Sequence, residues 1–154
     1  MSPGAEEEES DLERVVAALN EQGVQFLIVG GFAVVHHGHV RTTEDLDIYI
    51  RPTTENAERT VRALSRLGFT GEEVSAEAFT KDNGLSLGAV PMKVDLIAYV
   101  PGVDPEAMWS RRQSGRFGAQ RADFISRQDL IANKRAVGRA QDLADVQMLE
   151  GSPD

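Results

Sequence analysis

The order of hydrophobic and polar positions predicts that the chain begins with a helix followed by a strand. Leu12, Val15 and Leu19 recur at the spacing of one helix face, and Ser10 stands before them as a candidate N-cap. Residues 25–29 are almost continuously apolar, as in a strand that is buried on both faces. An amphipathic helix and a buried strand are therefore the first expected elements.

The same two patterns place the remaining elements. Helices are predicted over residues 10–21, 32–37, 54–67, from the cap Ser126 up to Gly138, and over 140–150. Strands are predicted over residues 25–29, 46–50, 85–90, 94–100 and 122–125, with Phe69 as a further candidate strand start. The last helix is expected to turn Leu143, Val146 and Leu149 to the core. These elements predict an α/β (α+β) fold, a mixed twisted sheet of about four to five strands flanked by helices.

Three aspartates stand in or beside the predicted strands. Asp45 and Asp47 flank Leu46, and Asp95 lies inside the apolar segment 93–100. Because side chains alternate along a strand, Asp45 and Asp47 face the same side, where their charges repel. Such a pair raises at least one pKa unless a cation lies between the acids, and Mg²⁺ prefers one or two carboxylates plus substrate phosphates. The pattern predicts a metal site facing a bound triphosphate.

The pair Gly30-Gly31 follows the first predicted strand and precedes a short predicted helix. Without a Cβ, backbone N–H groups can approach an anion closely, and the start of a helix adds partial positive charge. Glycine pairs also end strands for ordinary steric reasons, and for the pair alone the two interpretations have equal weight. The three acids that follow favour the phosphate interpretation.

Composition indicates one globular domain, predicted to span residues 1–154 with residues 1–10 as a disordered acidic tail. The 154-residue chain is 41% hydrophobic and has no apolar run near the roughly 20 residues that span a bilayer, so no membrane contact is expected. It contains no cysteine, which excludes disulfides and thiolate metal sites, and its acidic start differs from a secretion signal. A cytoplasmic location is the expectation.

The net charge of -9 disfavours broad binding to a nucleic-acid backbone. Arg111, Arg112, Arg116 and Arg121 form a local basic stretch, which can contact a polyanion or be a solvated loop, and the loop is favoured two to one. The histidines at positions 36, 37 and 39 are expected to be exposed or hydrogen-bonded and not metal ligands. Trp109 is expected to anchor packing.

These motifs resemble the nucleotidyltransferase superfamily related to polymerase beta. Its signature of Gly-Gly, a spacer and Asp-apolar-Asp stands here as Gly30-Gly31 and Asp45-Leu46-Asp47, and Asp95 matches the later third acid. The resemblance extends from about residue 26 to 149. The sequence around these motifs, together with residues 134–145, is most similar to the small bacterial branch that contains AbiEii-type toxins and lincosamide-type nucleotidyltransferases.

The resemblance implies a nucleotidyltransferase fold and transfer of a nucleoside monophosphate from an NTP to a hydroxyl acceptor, with release of pyrophosphate. It implies that Asp45 and Asp47 hold Mg²⁺ and that Asp95 completes the metal site and serves as general base. Gly30 and Gly31 would contact the β and γ phosphates. The structural alternative has Asp45 capping a turn and Asp95 pairing with a lysine, either residue 93 or residue 134.

Further candidates for nucleotide binding are Arg41, Thr42 and Lys134. Arg41 and Thr42 precede the acids and can donate hydrogen bonds to phosphate or orient the carboxylates, although threonine equally serves as a strand-entry residue. Lys134 and Arg139 can reach a phosphate. The aspartates at 142 and 145 can instead hold these basic side chains in structural pairs, and that interpretation is slightly favoured for them.

Two functional hypotheses follow. The first is a Mg²⁺-dependent nucleotidyltransferase that uses ATP or another NTP and a small-molecule, tRNA or protein acceptor. The second is a non-catalytic or regulatory nucleotide-binding module of a toxin–antitoxin pair, since only 59 residues follow Asp95, whereas many members of the superfamily that the chain resembles carry an extra helical domain that shapes the acceptor pocket. A cognate toxin or antitoxin and a second copy of the chain are the protein partners to consider. The acidic surface favours a cationic small molecule over RNA.

Overall fold

The structure is a computed structural model, and it describes residues 10–43, 45–88 and 93–151. Its helices are α1 Asp11–Glu21, α2 Gly30–His36, α3 Thr54–Arg66, α4 Pro105–Ser110, α5 Arg127–Val137 and α6 Ala140–Glu150, with a 3₁₀ turn at Ala76–Phe79. Its strands are β1 Phe26–Val29, β2 Leu46–Ile50, β3 Gly84–Leu87, β4 Val94–Ile97, β5 Gln113–Phe117 and β6 Gln120–Phe124. Helices and strands mix along the chain as the hydrophobic pattern predicts.

Within the described residues, six strands form one mixed sheet in the order β3-β4-β2-β1-β6-β5. β1 pairs antiparallel with β2 and parallel with β6, and β2 pairs parallel with β4. The edge strands β3 and β5 are antiparallel to their neighbours. The end of β1 therefore meets the beginnings of β2 and β4 at one edge of the sheet.

Helices flank this sheet and cover a continuous apolar core. α1 packs on α3, and α5 packs on α6. The central strands supply fully buried side chains such as Leu27, Ile48 and Leu96, which come from the apolar runs in the sequence. In the described part of the chain, every helix is too short or too polar to cross a lipid bilayer.

The predicted fold class is confirmed, and several predicted boundaries hold. Ser10 caps α1 and Ser126 caps α5 through hydrogen bonds that their hydroxyls accept from the third residue beyond. Gly138 ends α5 with a positive φ of 71°. α3 ends at Arg66, one residue before the predicted end.

The sheet has one more strand than predicted, because the basic stretch is not a loop. Residues 113–124 form the β5–β6 hairpin, which turns around Gly118. Arg111 lies beside Asp129, with two hydrogen bonds of 2.7 and 3.0 Å, and Arg112 hydrogen-bonds the Asp123 carboxylate. Two cations of the stretch are therefore engaged by acids, and its polar strand lacked the apolar alternation that sequence patterns detect.

Three further predictions need correction. Phe69 starts no strand and packs against the core instead. β4 ends at Ile97 and not at residue 100, because Ile97 is the last residue that pairs with the neighbouring strands β2 and β3. Leu143 is half exposed, because the buried side of α6 carries Asp142 and Asp145 beside Val146 and Leu149. α4 was not expected. Residues 1–9 of the predicted tail and residues 89–90 of the strand predicted at 85–90 lie outside the described residues.

Asn56 joins α3 to the ends of two core strands. Its side chain donates to the carbonyl groups of Gln25 and Arg51, at 2.9 and 2.8 Å, and accepts from Gln25 N–H at 2.7 Å. The Asn56 side chain is 2% exposed and its three hydrogen bonds are partly buried. One buried amide thus connects α3 to three backbone groups at the strand ends.

Replacing Asn56 with alanine is expected to lower the free energy of unfolding by about 1–3 kcal/mol, because it removes three hydrogen bonds and leaves the Gln25 N–H without its amide partner. Urea unfolding followed by circular dichroism measures the change. Glu58→Ala, at an exposed position of the same helix, is the matched control and should change the value by less than about 0.5 kcal/mol. Equal effects of the two substitutions would contradict this role of Asn56.

Candidate active site

Two carboxylates lie side by side where β2 and β4 begin. The parallel register pairs Asp47 with Asp95, and the antiparallel register pairs Asp47 with Val29, the last residue of β1. Parallel pairing puts equivalent residues of the two strands on the same face of the sheet, so both carboxylates project together. Gly30 follows directly at this edge.

The pKa of Asp47 reflects its burial and its acidic neighbours. It is raised to about 6, mainly by burial, then by the charge of Asp95, a side-chain interaction with Asp95 and the charge of Asp45, against the opposing charge of Lys134. A raised pKa for one acid of the group agrees with the expectation from the sequence pattern.

Asp45 and Asp95 have different surroundings. Asp95 Oδ1 accepts a hydrogen bond of 2.5 Å from Ser86 Oγ, and its Oδ2 lies 3.5 Å from Lys93 Nζ. Asp45 Oδ1 is buried and makes no hydrogen bond with any residue of the described ranges. Pairing of Asp95 with Lys93 is thus confirmed, whereas Asp45 has an oxygen available for a ligand.

The two glycines are required by the side chains around them. A Cβ on Gly30, whose φ is +68°, would stand 2.2 Å from Asp47 Oδ2. A Cβ on Gly31 would stand 2.5 Å from the Thr43 hydroxyl and 2.7 Å from Arg41 Nη1. Distances this short are never reached by real Cβ atoms. The two glycines therefore leave room for the side chains of Asp47 and Arg41. This steric requirement holds whether or not a phosphate binds.

All of the predicted site residues line one cleft of about 620 Å³. They are Gly30, Gly31, Arg41, Thr42, Asp45, Asp47, Asp95 and Lys134. The start of α2, the loop before β2, β2 itself, β4 and α5 thus contribute to one site. The cleft also contains Lys93, Asn133 of α5, Arg139 of the α5–α6 connection and Gln141 of α6.

A buried ion network forms the basic wall of the cleft. Lys134 Nζ lies 2.8 Å from Asp145 Oδ2 and 3.3 Å from Asp142 Oδ1, and Arg41 Nη1 lies 3.5 Å from the same Asp145 oxygen. Asp145 is completely buried, and its other oxygen accepts from Gln141. Neither Arg41 Nη1 nor Asp145 Oδ2 has hydrogen-bond geometry with any described residue. Asp145 therefore holds both predicted phosphate-binding cations by charge and not by directed bonds.

Arg139 completes the wall. Its guanidinium hydrogen-bonds Asp142 at 2.7 Å, and Asp142 in turn accepts from the Arg139 N–H at the start of α6. Burial alone would raise the pKa of Asp142, but these bonds and the Lys134 charge lower it below its ordinary value. The structural pairing favoured for the two aspartates of α6 is confirmed. Since Asp145 and Asp142 carry two negative charges against three positive ones, the wall keeps a net positive charge.

The histidines expected not to bind metal have packing roles. His36 stacks on Phe124 with ring centroids 3.8 Å apart, and the His37 ring bonds the Ile125 carbonyl. Burial and then the neighbouring His37 lower the pKa of His36.

In the residues that the structure describes, no three His, Asp or Glu side chains lie close enough to form a ready metal-ligand group. The metal-binding role of Asp45, Asp47 and Asp95 stays a prediction, with Asp47 and Asp95 adjacent in the strand register and all three acids in one cleft.

Sequence comparison identifies the family. Residues 11–111 match the family described as aminoglycoside-2''-adenylyltransferase, which is more than half of the 154-residue chain. The chain belongs to this family. The segment that matches the aminoglycoside-2''-adenylyltransferase family contains the two glycines and the three acids, whereas Lys134 lies beyond it. Membership confirms the predicted nucleotidyltransferase superfamily, and the narrower likeness to AbiEii-type and lincosamide-type proteins stays a prediction.

Solved structures share the fold of this member of the aminoglycoside-2''-adenylyltransferase family. A candidate nucleotidyltransferase of Thermotoga maritima has a TM-score of 0.57 at 14% identity, over 89% of this chain and 88% of its own. The antibiotic-resistance factor ANT(2'')-Ia in solution has a TM-score of 0.56 at 18% identity, over 90% and 80%. Its complex with adenylyl-2''-tobramycin has 0.54 at 17%, over 90% and 84%. No curated protein sequence matches the chain significantly.

The site predicts an unusual dependence of stability on pH. Because the pKa of Asp47 is about 6 in the folded protein and 3.8 in its unperturbed state, the folded state binds this proton more tightly. Stability is therefore lost as pH rises from about 4 to about 6. Asp47→Asn, which stays neutral, is expected to raise the free energy of unfolding at pH 7.5 by about 2 kcal/mol.

Urea unfolding without divalent cations measures this gain, and the gain should shrink at pH 4.5. Asp123→Asn, in which a carboxylate paired with Arg112 is neutralised, is the control and should not stabilise the protein. A gain that is equal at both pH values, or a loss of stability at pH 7.5, would contradict the raised pKa.

Proposed function

We propose that the protein transfers a nucleoside monophosphate from an NTP to an acceptor hydroxyl in a Mg²⁺-dependent reaction that releases pyrophosphate. The observation that carries this proposal is the Asp47–Asp95 pair, which lies side by side in the strand register inside a cleft with a basic wall. Burial and the neighbouring charge of Asp95 raise the pKa of Asp47 to about 6. Carboxylates that repel each other favour a cation, and a basic wall favours phosphate. Family membership independently supports nucleotidyl transfer.

The donor set fits Mg²⁺. The aspartates of the site offer oxygen ligands. Asp45 Oδ1 is a buried acceptor that accepts no hydrogen bond from any described residue. Mg²⁺ needs only one or two carboxylates when phosphate oxygens and water complete its shell. Asp45 and Asp47 would hold the ion, with Asp95 beside them, and the bound ion would neutralise phosphate charge and favour attack at the α-phosphorus.

Other residues of the cleft would bind the triphosphate and accept the proton of the acceptor. Lys134, Arg41 and Thr42 would bind the triphosphate, with Gly30 and Gly31 leaving room for it at the end of β1. Asp145 would keep the two cations at the wall. Asp95 would accept the proton of the attacking hydroxyl as general base.

For the substrates we propose ATP as donor and a cationic, polyhydroxylated acceptor of the aminoglycoside class. The family description names this reaction, and the related fold of ANT(2'')-Ia is known with adenylyl-2''-tobramycin. The net charge of -9 supports a cationic acceptor over tRNA, because opposite charges attract in solution.

The proposal is tested with purified protein, Mg²⁺, labelled NTPs and an acceptor panel that includes tobramycin. Pyrophosphate release and a nucleotidylated product are expected, and Asp47→Ala should lower the rate at least about 100-fold because it removes a charge that acts in the transition state. Asp123→Ala is the control, since Asp123 lies outside the cleft and pairs with Arg112. A chelator should abolish transfer.

Failure with all four NTPs and the whole panel, together with no Mg²⁺-dependent NTP binding in calorimetry, would contradict the proposal. The same experiment addresses the regulatory alternative. NTP binding without pyrophosphate release, combined with tight capture of a protein encoded beside this chain, would favour a non-catalytic module of a toxin–antitoxin pair.

A further inference from the structure

Ser86 is exposed, and its hydroxyl contacts Asp95, the residue proposed as general base. It stands opposite Asp95 in the antiparallel register of β3 and β4, and its Oγ donates to Asp95 Oδ1 at 2.5 Å. β3 is an edge strand, so no further strand lies beyond it in the sheet. The hydroxyl is open to solvent and already bonded to a carboxylate of the cleft.

A second cleft of about 400 Å³ opens at this edge. Its lining includes Asn83 and Ser86, and it shares Asp47, Lys93 and Asp95 with the larger cleft. The acids therefore lie at the junction of two clefts. With the nucleotide against the basic wall of the larger cleft, an attacking hydroxyl has access from the smaller one.

Two other hydroxyl groups do not share this combination of exposure and contact with an acid of the site. The Thr43 hydroxyl points to the backbone carbonyl of Asp45, with a distance of 3.5 Å. Ser126 also donates to a carboxylate, that of Asp129, but it is a buried helix cap. Ser86 combines exposure, a short hydrogen bond to the proposed base and a place in the smaller cleft. A reacting hydroxyl needs this contact with its base before any other feature.

We propose that Ser86 is itself an acceptor, so that the protein nucleotidylates its own β3 strand. This inference rests on the proposed function. Ser86 Oγ forms a bond to the α-phosphorus of the NTP while its proton passes to Asp95. The bond from the α-phosphorus to the bridging oxygen breaks, and pyrophosphate leaves with that electron pair. The product is a phosphodiester that joins Ser86 to the nucleoside.

The modification would regulate the same site. A nucleotidyl group on Ser86 fills the smaller cleft and removes the hydroxyl that bonds Asp95. External acceptors would then lose their access to the base. Ser86 thus competes with them for one reactive position.

The full chain is incubated with Mg²⁺ and ATP labelled at either the α or the γ phosphorus, and the protein is mapped by peptide mass spectrometry. Covalent α label and the mass of one nucleotidyl group on the peptide containing Ser86 are expected, with no γ label. Ser86→Ala should lower the label at least about tenfold, whereas Ser86→Thr, which keeps a hydroxyl beside the base, should retain part of it.

Ser114→Ala is the matched control, because Ser114 is an exposed serine in β5, the opposite edge strand. It should leave the label unchanged. Unfolding curves of the variants establish that each is folded, and the mapping of wild-type protein needs no variant.

Pyrophosphate release with an external acceptor but an unlabelled protein would overturn the inference and leave the proposed function intact, since Ser86 would then only orient Asp95. Label that persists in Ser86→Ala, or that maps elsewhere, would also overturn it. Absence of both protein label and pyrophosphate release with every NTP and acceptor would instead reject the proposed function, and the inference with it.

Discussion

The parallel pairing of β2 with β4 is the constraint on which the site depends. It fixes Asp47 next to Asp95, and two carboxylates in a half-buried position repel each other at a cost that the apolar core must offset. The surroundings are adapted to this pair: Gly30 has no side chain where Asp47 projects, and Lys93 and Ser86 contact Asp95. With these contacts in place the pKa of Asp47 is still about 6, because the carboxyl group is buried and lies beside the charge of Asp95.

Opposite charges are separated across the cleft in a way that suits a nucleoside triphosphate. The acidic wall belongs to the strands, whereas the basic wall belongs to Arg41 and α5 and is fixed by a fully buried aspartate, Asp145. Burying an ion pair rarely adds stability by itself, because desolvation opposes the attraction. The network instead places positive charge close to Asp47 without contacting it, and Lys134 lowers the pKa of Asp47. A cation at one wall and phosphate at the other complete this arrangement in our proposal.

The sequence predicted the parts of the structure that depend on local patterns. The helix caps, the buried strands and the spacing of Gly30, Asp47 and Asp95 follow from residues near each other in the chain, and the predicted site residues do line one cleft. The β5 strand was missed because its polar residues form a hairpin by pairing with β6. Ser86 carried no signal at all, because its importance comes from the cross-strand register with Asp95. Leu143 was assigned to the core since apolar spacing does not reveal that two aspartates occupy the buried side of α6.

The central claim is that the Asp47–Asp95 pair carries an excess of negative charge that a cation and a nucleotide satisfy. Carboxyl NMR titration of Asp47, with and without Mg²⁺ and ATP, tests it most directly. We expect a pKa of about 6 for the protein alone, and a value well below the ordinary pKa of an aspartate once Mg²⁺ and ATP are bound. An ordinary pKa near 4 in both states would contradict the role proposed for this pair.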